Sequence, residues 1–161
     1  MQSIYIAISM ILLSFSPKTE PPPAAHGITQ ISIYKGPCFG YCPVYDASFF
    51  SDGNATFEGK EPRRSTIPPD YPLGKNIGNI SKEKFDSLAA LVEKVKFFEM
   101  SDHIEQVTDL PSTKITVVRN DTTKSVKIYG LRPSEEMKKL MSTLEQVAKE
   151  TKWKPMPDKS E

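Results

Sequence analysis

The chain has 161 residues, with 21 Lys and Arg residues against 20 Asp and Glu residues and a formal net charge of +1. This length predicts a single domain. Proteins that bind nucleic acids through their phosphates usually carry a clear excess of basic residues, so the balanced charge argues against nucleic acid as a partner.

The first residues predict an export signal. A nearly continuous apolar run extends from Ile4 to Phe15. Its length is close to that of a signal-peptide hydrophobic region and is below the roughly 20 residues that span a bilayer. Prolines follow, and they favour an extended chain. We therefore expect a signal peptide at residues 1–16 and a proline-rich spacer at residues 17–27, with no stable membrane insertion after cleavage. The alternative is that the apolar segment is retained as an anchor.

The first half of the remaining chain has the pattern of three strands. Residues 29–34 and 44–50 alternate between apolar and polar side chains, which is typical of half-buried strands. Asp52-Gly53 predicts a tight hairpin turn, because glycine adopts a positive φ without steric cost. The partner strand is predicted at residues 55–59, with Phe57 facing inward.

Residues 61–79 are rich in proline and glycine and are predicted to form one long surface loop. Loops of this length in compact domains are often functional. This one carries Arg63, Arg64, Tyr71 and Leu73, a mixture of arginine, aromatic and aliphatic residues that is typical of protein interfaces. We consider these four residues a candidate interaction loop. The alternative is that Tyr71 and Leu73 pack against the sheet and the loop is a structural cover.

The second half predicts a helix, two strands and a second helix. Ser81 is a candidate N-cap for the first helix, the strands are expected at residues 113–118 and 124–129, and Pro133 is expected to open the last helix. The order within residues 28–153 is β-β-β-α-β-β-α, followed by a polar tail at residues 154–161. This order predicts a two-layer α+β fold, with an approximately five-stranded, mostly antiparallel sheet and both helices on one face.

Several strings in the sequence resemble one bacterial family, domain of unknown function 6438, over about residues 28–148. The most specific string is Pro37-Cys-Phe-Gly-Tyr-Cys-Pro-Val-Tyr45, and the supporting strings are Asp52-Gly53, Phe57-Glu-Gly59, Phe97-Phe98 and Thr108-Asp-Leu-Pro-Ser-Thr113. The resemblance implies an exported bacterial protein, secreted or periplasmic. It implies no activity.

Cys38 and Cys42 are the only cysteines. In an exported protein, such a pair most simply forms a disulfide. The alternative is thiol-redox or copper chemistry at the Cys-x-x-x-Cys-Pro loop, because soft thiolates select Cu(I). The third ligand would then be His103, or His26. A zinc site with the two histidines is a further, weaker alternative.

The common catalytic motifs of hydrolases and nucleotide-binding enzymes do not occur in the sequence. An unrecognised hydrolase could use only His103 and Asp109, and both residues are more typical of surface and turn positions. The favoured hypothesis is therefore a non-catalytic extracytoplasmic binding module without a cofactor. Its expected partner is a protein or a component of the cell envelope.

Overall fold

The computed structural model describes residues 27–38, 42–62, 69–104, 112–129 and 133–157. Two helices, α1 (Lys82–Lys94) and α2 (Glu135–Glu150), and a short 3-10 helix (Phe97–Glu99) accompany one sheet. The strands of the sheet are β1 (Ile28–Lys35), β2 (Val44–Phe50), β3 (Asn54–Lys60), β4 (Gly74–Asn79), β5 (His103–Ile104), β6 (Ser112–Arg119), β7 (Thr122–Tyr129) and β8 (Lys154–Pro155).

The strands lie in the order β5-β7-β6-β1-β2-β3-β4-β8. All neighbours pair antiparallel except β5, which is parallel to β7. The predicted α+β class is confirmed, but the sheet has more strands than the five expected. The additional strands are β4, β5 and β8.

The prediction that residues 61–79 form one loop is wrong for β4. Its sequence, Gly-Lys-Asn-Ile-Gly-Asn, lacks the apolar alternation of a strand. It is a strand because its whole length pairs with β3, from Asn79 opposite Asn54 to Gly74 opposite Gly59. Tertiary pairing thus overrides a weak local preference.

The two faces of the sheet differ in polarity. Ile31 and Ile33 of β1 are fully buried on the face that packs against α1 and α2. Hydroxyl side chains pair on the opposite face, where Ser32 contacts Ser48 at 2.9 Å between the two Oγ atoms. An antiparallel sheet with one face on the core and one in solvent explains the alternation in the sequence.

Both helices begin at a serine cap. The Ser81 side chain accepts a hydrogen bond from the Lys84 amide, as predicted for α1. Ser134 caps α2 by accepting from the Met137 amide, so α2 begins after Pro133 rather than at it. Ser134 has a side-chain oxygen that accepts this hydrogen bond, whereas the side chain of Pro133 has no acceptor. This difference sets the start of α2.

One end of the sheet positions the candidate site. At this end Tyr45 of β2 lies opposite both Lys35 of β1 and Gly59 of β3. The loop that contains the cysteines joins β1 to β2 here, and the chain leaves β3 here toward β4. The described part of the chain contains no helix that is both long and apolar enough to cross a membrane.

Candidate binding site

Four aromatic rings meet at this end of the sheet. Tyr45 stacks on Phe57 with 5.0 Å between ring centroids and an interplanar angle of 24°. Tyr71 is inclined at 59° to both of these rings, at centroid distances of 6.0 and 6.2 Å. Trp153 lies 5.1 Å from Phe57 at 39°. The rings therefore pack against one another at different inclinations rather than in a flat stack.

Tyr71 is held in place by its phenol oxygen. The hydroxyl accepts a hydrogen bond from the Val44 amide at 3.0 Å and donates one to the Lys60 carbonyl at 2.8 Å. One side chain thereby connects the start of β2 to the end of β3. The chain approaches closely at Gly59, where a Cβ atom would overlap the carbonyl oxygen of Pro72. A glycine at this position allows the segment with Tyr71 to lie against the sheet.

Trp153 covers a part of the sheet that has almost no side-chain volume. On β3, the residues that face the helices are Ala55, Phe57 and Gly59. They pair with Gly78, Asn76 and Gly74 of β4, which therefore form the helix-side face of that strand. A Cβ atom at Gly78 would lie 2.9 Å from Cε3 of Trp153. The indole Nε1 donates a hydrogen bond to the Ala148 carbonyl at 2.8 Å. The ring is therefore fixed between β4 and the end of α2.

The four rings are part of the lining of a half-open cavity of about 210 Å³. This volume is below the roughly 300–1,000 Å³ of pockets that hold drug-sized ligands. It suits a small head group or the end of one side chain. The remaining lining residues are Pro43, Pro72 and Ala148 together with the charged residues Asp70, Glu145 and Lys149.

The charges around the cavity are arranged in two groups. Glu145 forms an ion pair with Lys35 of β1 at 2.6 Å. Asp70 and Lys149 are exposed at the rim, and no ion pair joins either of them to another residue in the described segments.

Burial raises the pKa of the Tyr45 phenol well above its usual value, and the charge of Glu145 and the neighbouring Tyr71 raise this pKa further. Tyr45 is therefore a neutral wall of the cavity at physiological pH.

The predicted disulfide is present beside this site. Cys38 and Cys42 are bonded, with 5.8 Å between their Cα atoms. Pro43, which lines the cavity, directly follows Cys42. The bond thus constrains the segment that enters β2.

The alternative metal ligands are not brought together in the described backbone. His103 belongs to β5, three strands from β1, which corresponds to roughly 14 Å at the usual spacing between strands. Metal or redox chemistry at Cys38 and Cys42 would first require reduction of their bond. Within the ranges that the structure describes, no cluster of three or more His, Cys, Asp or Glu residues could hold a metal ion. His26 and Asp109 lie outside the described residues.

The candidate interaction loop is only partly described. Arg63 and Arg64 lie outside the described residues. Tyr71 packs against the core, while Leu73 is 46% exposed. The packing of Tyr71 agrees with the alternative in which the loop is a structural cover of the sheet. The exposure of Leu73 does not agree with it.

Sequence reasoning missed Trp153 and Asp70 as parts of a site. Trp153 is the only tryptophan and follows the last helix, and a lone aromatic residue after a helix is a weak signal for packing. Asp70 lies between Pro69 and Tyr71 and has no local signature. Both residues reach the cavity through contacts between segments that are distant in sequence, and the periodicity of the sequence does not reveal such contacts.

These features define the class of protein as a two-layer α+β domain with an aromatic cavity at one end of its sheet. The chain belongs to the family described as domain of unknown function 6438 (DUF6438), whose model matches residues 29–148. The cavity residues Pro43, Tyr45 and Phe57 all lie in the strings on which the resemblance to this family rested. No curated protein matches the chain.

Proposed function

We propose that the protein is a non-catalytic extracytoplasmic binding module and that the aromatic cavity is its binding site. The observation that carries the proposal is the set of four aromatic residues that line one small cavity. Binding sites of this kind are mostly apolar, with few polar groups that fix orientation.

The chemistry of the walls favours binding over catalysis. The Tyr71 hydroxyl and the Trp153 indole N–H are already engaged with backbone groups. The raised pKa of Tyr45 disfavours the ionised form that a base would need. The rings therefore offer contact surface rather than proton transfer.

Two observations support the extracytoplasmic part of the proposal. The apolar run that begins at Ile4 has the length of a signal-peptide hydrophobic region. The only two cysteines form a disulfide, and disulfides persist mainly in oxidising compartments. The partner would then be a protein or a component of the cell envelope.

The binding part is tested by capture of envelope components on the immobilised protein. Lys149→Trp places a large ring at the rim of the cavity, and Lys139→Trp adds the same ring at an exposed position earlier in α2. We expect a component that the wild type and Lys139→Trp retain equally and that Lys149→Trp loses. Equal retention by all three proteins, or by none, would contradict a site at the cavity.

The location is tested by fractionation of cells that express the full chain. We expect the protein outside the cytoplasm, with its disulfide formed. Recovery in the cytoplasmic fraction alone would overturn this part of the proposal and leave the cavity result unaffected.

A further inference from the structure

We propose that the outer edge of β7 binds an acidic segment of another protein in an extended conformation, which adds a strand to the sheet. This surface is separate from the aromatic cavity and goes beyond the proposed function. Three observations on the described residues carry it. Backbone groups along the edge lack a partner, open space lies beside them, and two lysines next to this space lack a counter-ion.

The edge of β7 is covered over only part of its length. The outermost strand β5 pairs with β7 only at Lys127 and Ile128. Just before β5, the Asp102 carbonyl accepts a hydrogen bond from the Lys127 amide at 2.9 Å. In the described segments, no backbone hydrogen bond reaches residues 122–126 of β7 from outside the sheet. This part of the edge is therefore open to a further strand.

The backbone groups of the open part point in the direction that strand addition requires. Along an antiparallel strand, successive residues direct their N–H and C=O groups alternately to one side and to the other. The Lys127 N–H points away from β6, toward Asp102, so the groups of Ser125 and Thr123 point the same way. An extended segment can form main-chain hydrogen bonds with such groups.

Open space lies beside these groups. A cavity of about 360 Å³ is lined by Thr123, Ser125 and Lys127 of β7 and by Lys114 of β6. Thr123 is exposed and Ser125 is half-buried. Because successive side chains of a strand point to opposite faces, every second side chain of an added strand would lie at this cavity.

The charge beside the edge is positive. Lys114 and Lys127 lie directly opposite each other on β6 and β7, and like charges in this arrangement repel. Neither forms an ion pair within the described residues. Asp102 is the only acidic residue among the described residues that line the cavity, and it is already paired with Lys124. An acidic side chain on an added strand would supply the missing counter-charge.

Aromatic rings hold the two ammonium groups in place. Lys127 lies over the Tyr129 ring at 4.5 Å from its centroid, and Lys114 lies over the Tyr34 ring at 5.8 Å. A ring face attracts a cation but leaves its charge in place. The next carboxylate in this row of the sheet, that of Asp46, is two strands from Lys114, or roughly 10 Å at the usual spacing. The lysines therefore remain available to an acidic partner.

The same charges disfavour a second copy of this chain as the added strand. A twofold pairing of two β7 edges would bring the lysines of one copy close to the same lysines of the other. Lysines at a sheet edge oppose self-association in this way. A strand of opposite charge does not meet this repulsion.

The probe is the peptide acetyl-Thr-Glu-Thr-Glu-Thr-Glu-Thr-amide, which in a strand has all its glutamates on one face. It is titrated into the full protein, and hydrogen exchange of the Thr123 and Ser125 amides is followed by NMR. We expect saturable binding with slower exchange at both amides, because each gains an acceptor.

Two matched peptides test the chemistry of the contact. One has lysine in place of glutamate, and the other is the acidic peptide with N-methyl groups on its central amides. We expect each to bind at least about tenfold more weakly, since the first loses the charge attraction and the second loses main-chain hydrogen bonds.

The matched variants each remove two positive charges. Lys114→Gln/Lys127→Gln changes the edge, and Lys139→Gln/Lys152→Gln changes exposed positions in and after α2. We expect the first to weaken binding of the acidic peptide about fivefold and the second to leave it within about twofold. The factor is modest because exposed ion pairs contribute little each. The equal change in net charge makes the difference a measure of location.

Equal affinity for the acidic and the lysine peptide would overturn the inference. Undiminished binding of the N-methylated peptide, equal effects of the two double variants, or unchanged exchange at Thr123 and Ser125 would also overturn it. Slower exchange at higher protein concentration without peptide would assign the edge to a second copy instead.

This result is separable from the test of the proposed function. Lys149→Trp at the aromatic cavity should leave binding of the acidic peptide unchanged, and a loss of binding in this variant would contradict a separate site on β7. Failure of the peptide experiment leaves the capture experiment at the cavity unaffected.

Discussion

Tyr45 has its acid–base behaviour set by its position in the fold. It is 8% exposed, stacks on Phe57 and lies near the carboxylate of Glu145. Burial removes the water that would stabilise a phenolate, and a nearby negative charge adds to the effect. The pKa of the folded state is therefore raised above the ordinary value of 10.0.

A raised pKa has a definite consequence for stability in alkali. Above about pH 10 the phenol ionises more readily in the unfolded chain than in the folded one. The contribution of Tyr45 is therefore complete below pH 10 and is lost as the pH rises toward the folded value. We expect the free energy of unfolding to fall less steeply between pH 9 and about pH 11 in Tyr45→Phe than in the wild type. Chemical denaturation at each pH measures this, and Tyr34→Phe on the open face is the control. If the free energy of unfolding falls equally steeply with pH in Tyr45→Phe and in the wild type, the buried environment assigned to the Tyr45 phenol is contradicted.

Strand β4 shows how an element without a sequence signal can organise a site. Its helix-side residues Gly74, Asn76 and Gly78 leave room that Trp153 occupies. The alternating strands, the hairpin turn at Asp52-Gly53 and both amphipathic helices follow from local patterns, and they were predicted. Strand β4 depends on its pairing with β3, and the cavity also depends on the segment after α2, which places Trp153 beside β4. Local sequence patterns do not predict either of these long-range contacts.

Filling the space over β4 should displace the tryptophan. In Gly78→Ala the new Cβ atom would meet Cγ2 of Thr151 at 2.8 Å and the Trp153 ring at 2.9 Å. Overpacking of this kind costs about 1–3 kcal/mol. We expect a lower urea midpoint together with a changed emission of Trp153. Lys75→Ala, on the same strand but exposed, should change neither by much. An unaltered emission spectrum in Gly78→Ala would show that the ring does not lie over β4.

At the scale of the whole molecule, the disulfide and the cavity belong to the same end of the sheet. Cys42 and Pro43 lead directly into β2, which supplies Tyr45. The α+β class and the cysteine pairing could be predicted from the sequence, because both rest on short-range patterns. The meeting of this loop with Asp70, Glu145 and Trp153 could not, since these residues are distant in the chain.

The disulfide should contribute modestly to stability. Because it closes a very short loop, the chain-entropy model gives about 2 kcal/mol for its loss. We expect Cys38→Ala/Cys42→Ala to lower the free energy of unfolding by about this amount and to remain folded. Thiol titration of the denatured, unreduced wild type should find almost no reactive groups. About two thiols per chain would reject the structural disulfide and favour the thiol or copper alternative.

The two-residue strand β8 has a consequence for self-association. Open sheet edges present unpaired backbone groups that template the addition of further strands. At the β4 edge this position is taken by Lys154 and Pro155, a charged residue and one that has no backbone N–H. A neighbouring copy of the chain therefore meets an outer strand that cannot continue a regular ladder. Lys154 and Pro155 thus limit the growth of the sheet into fibrillar assemblies at this edge.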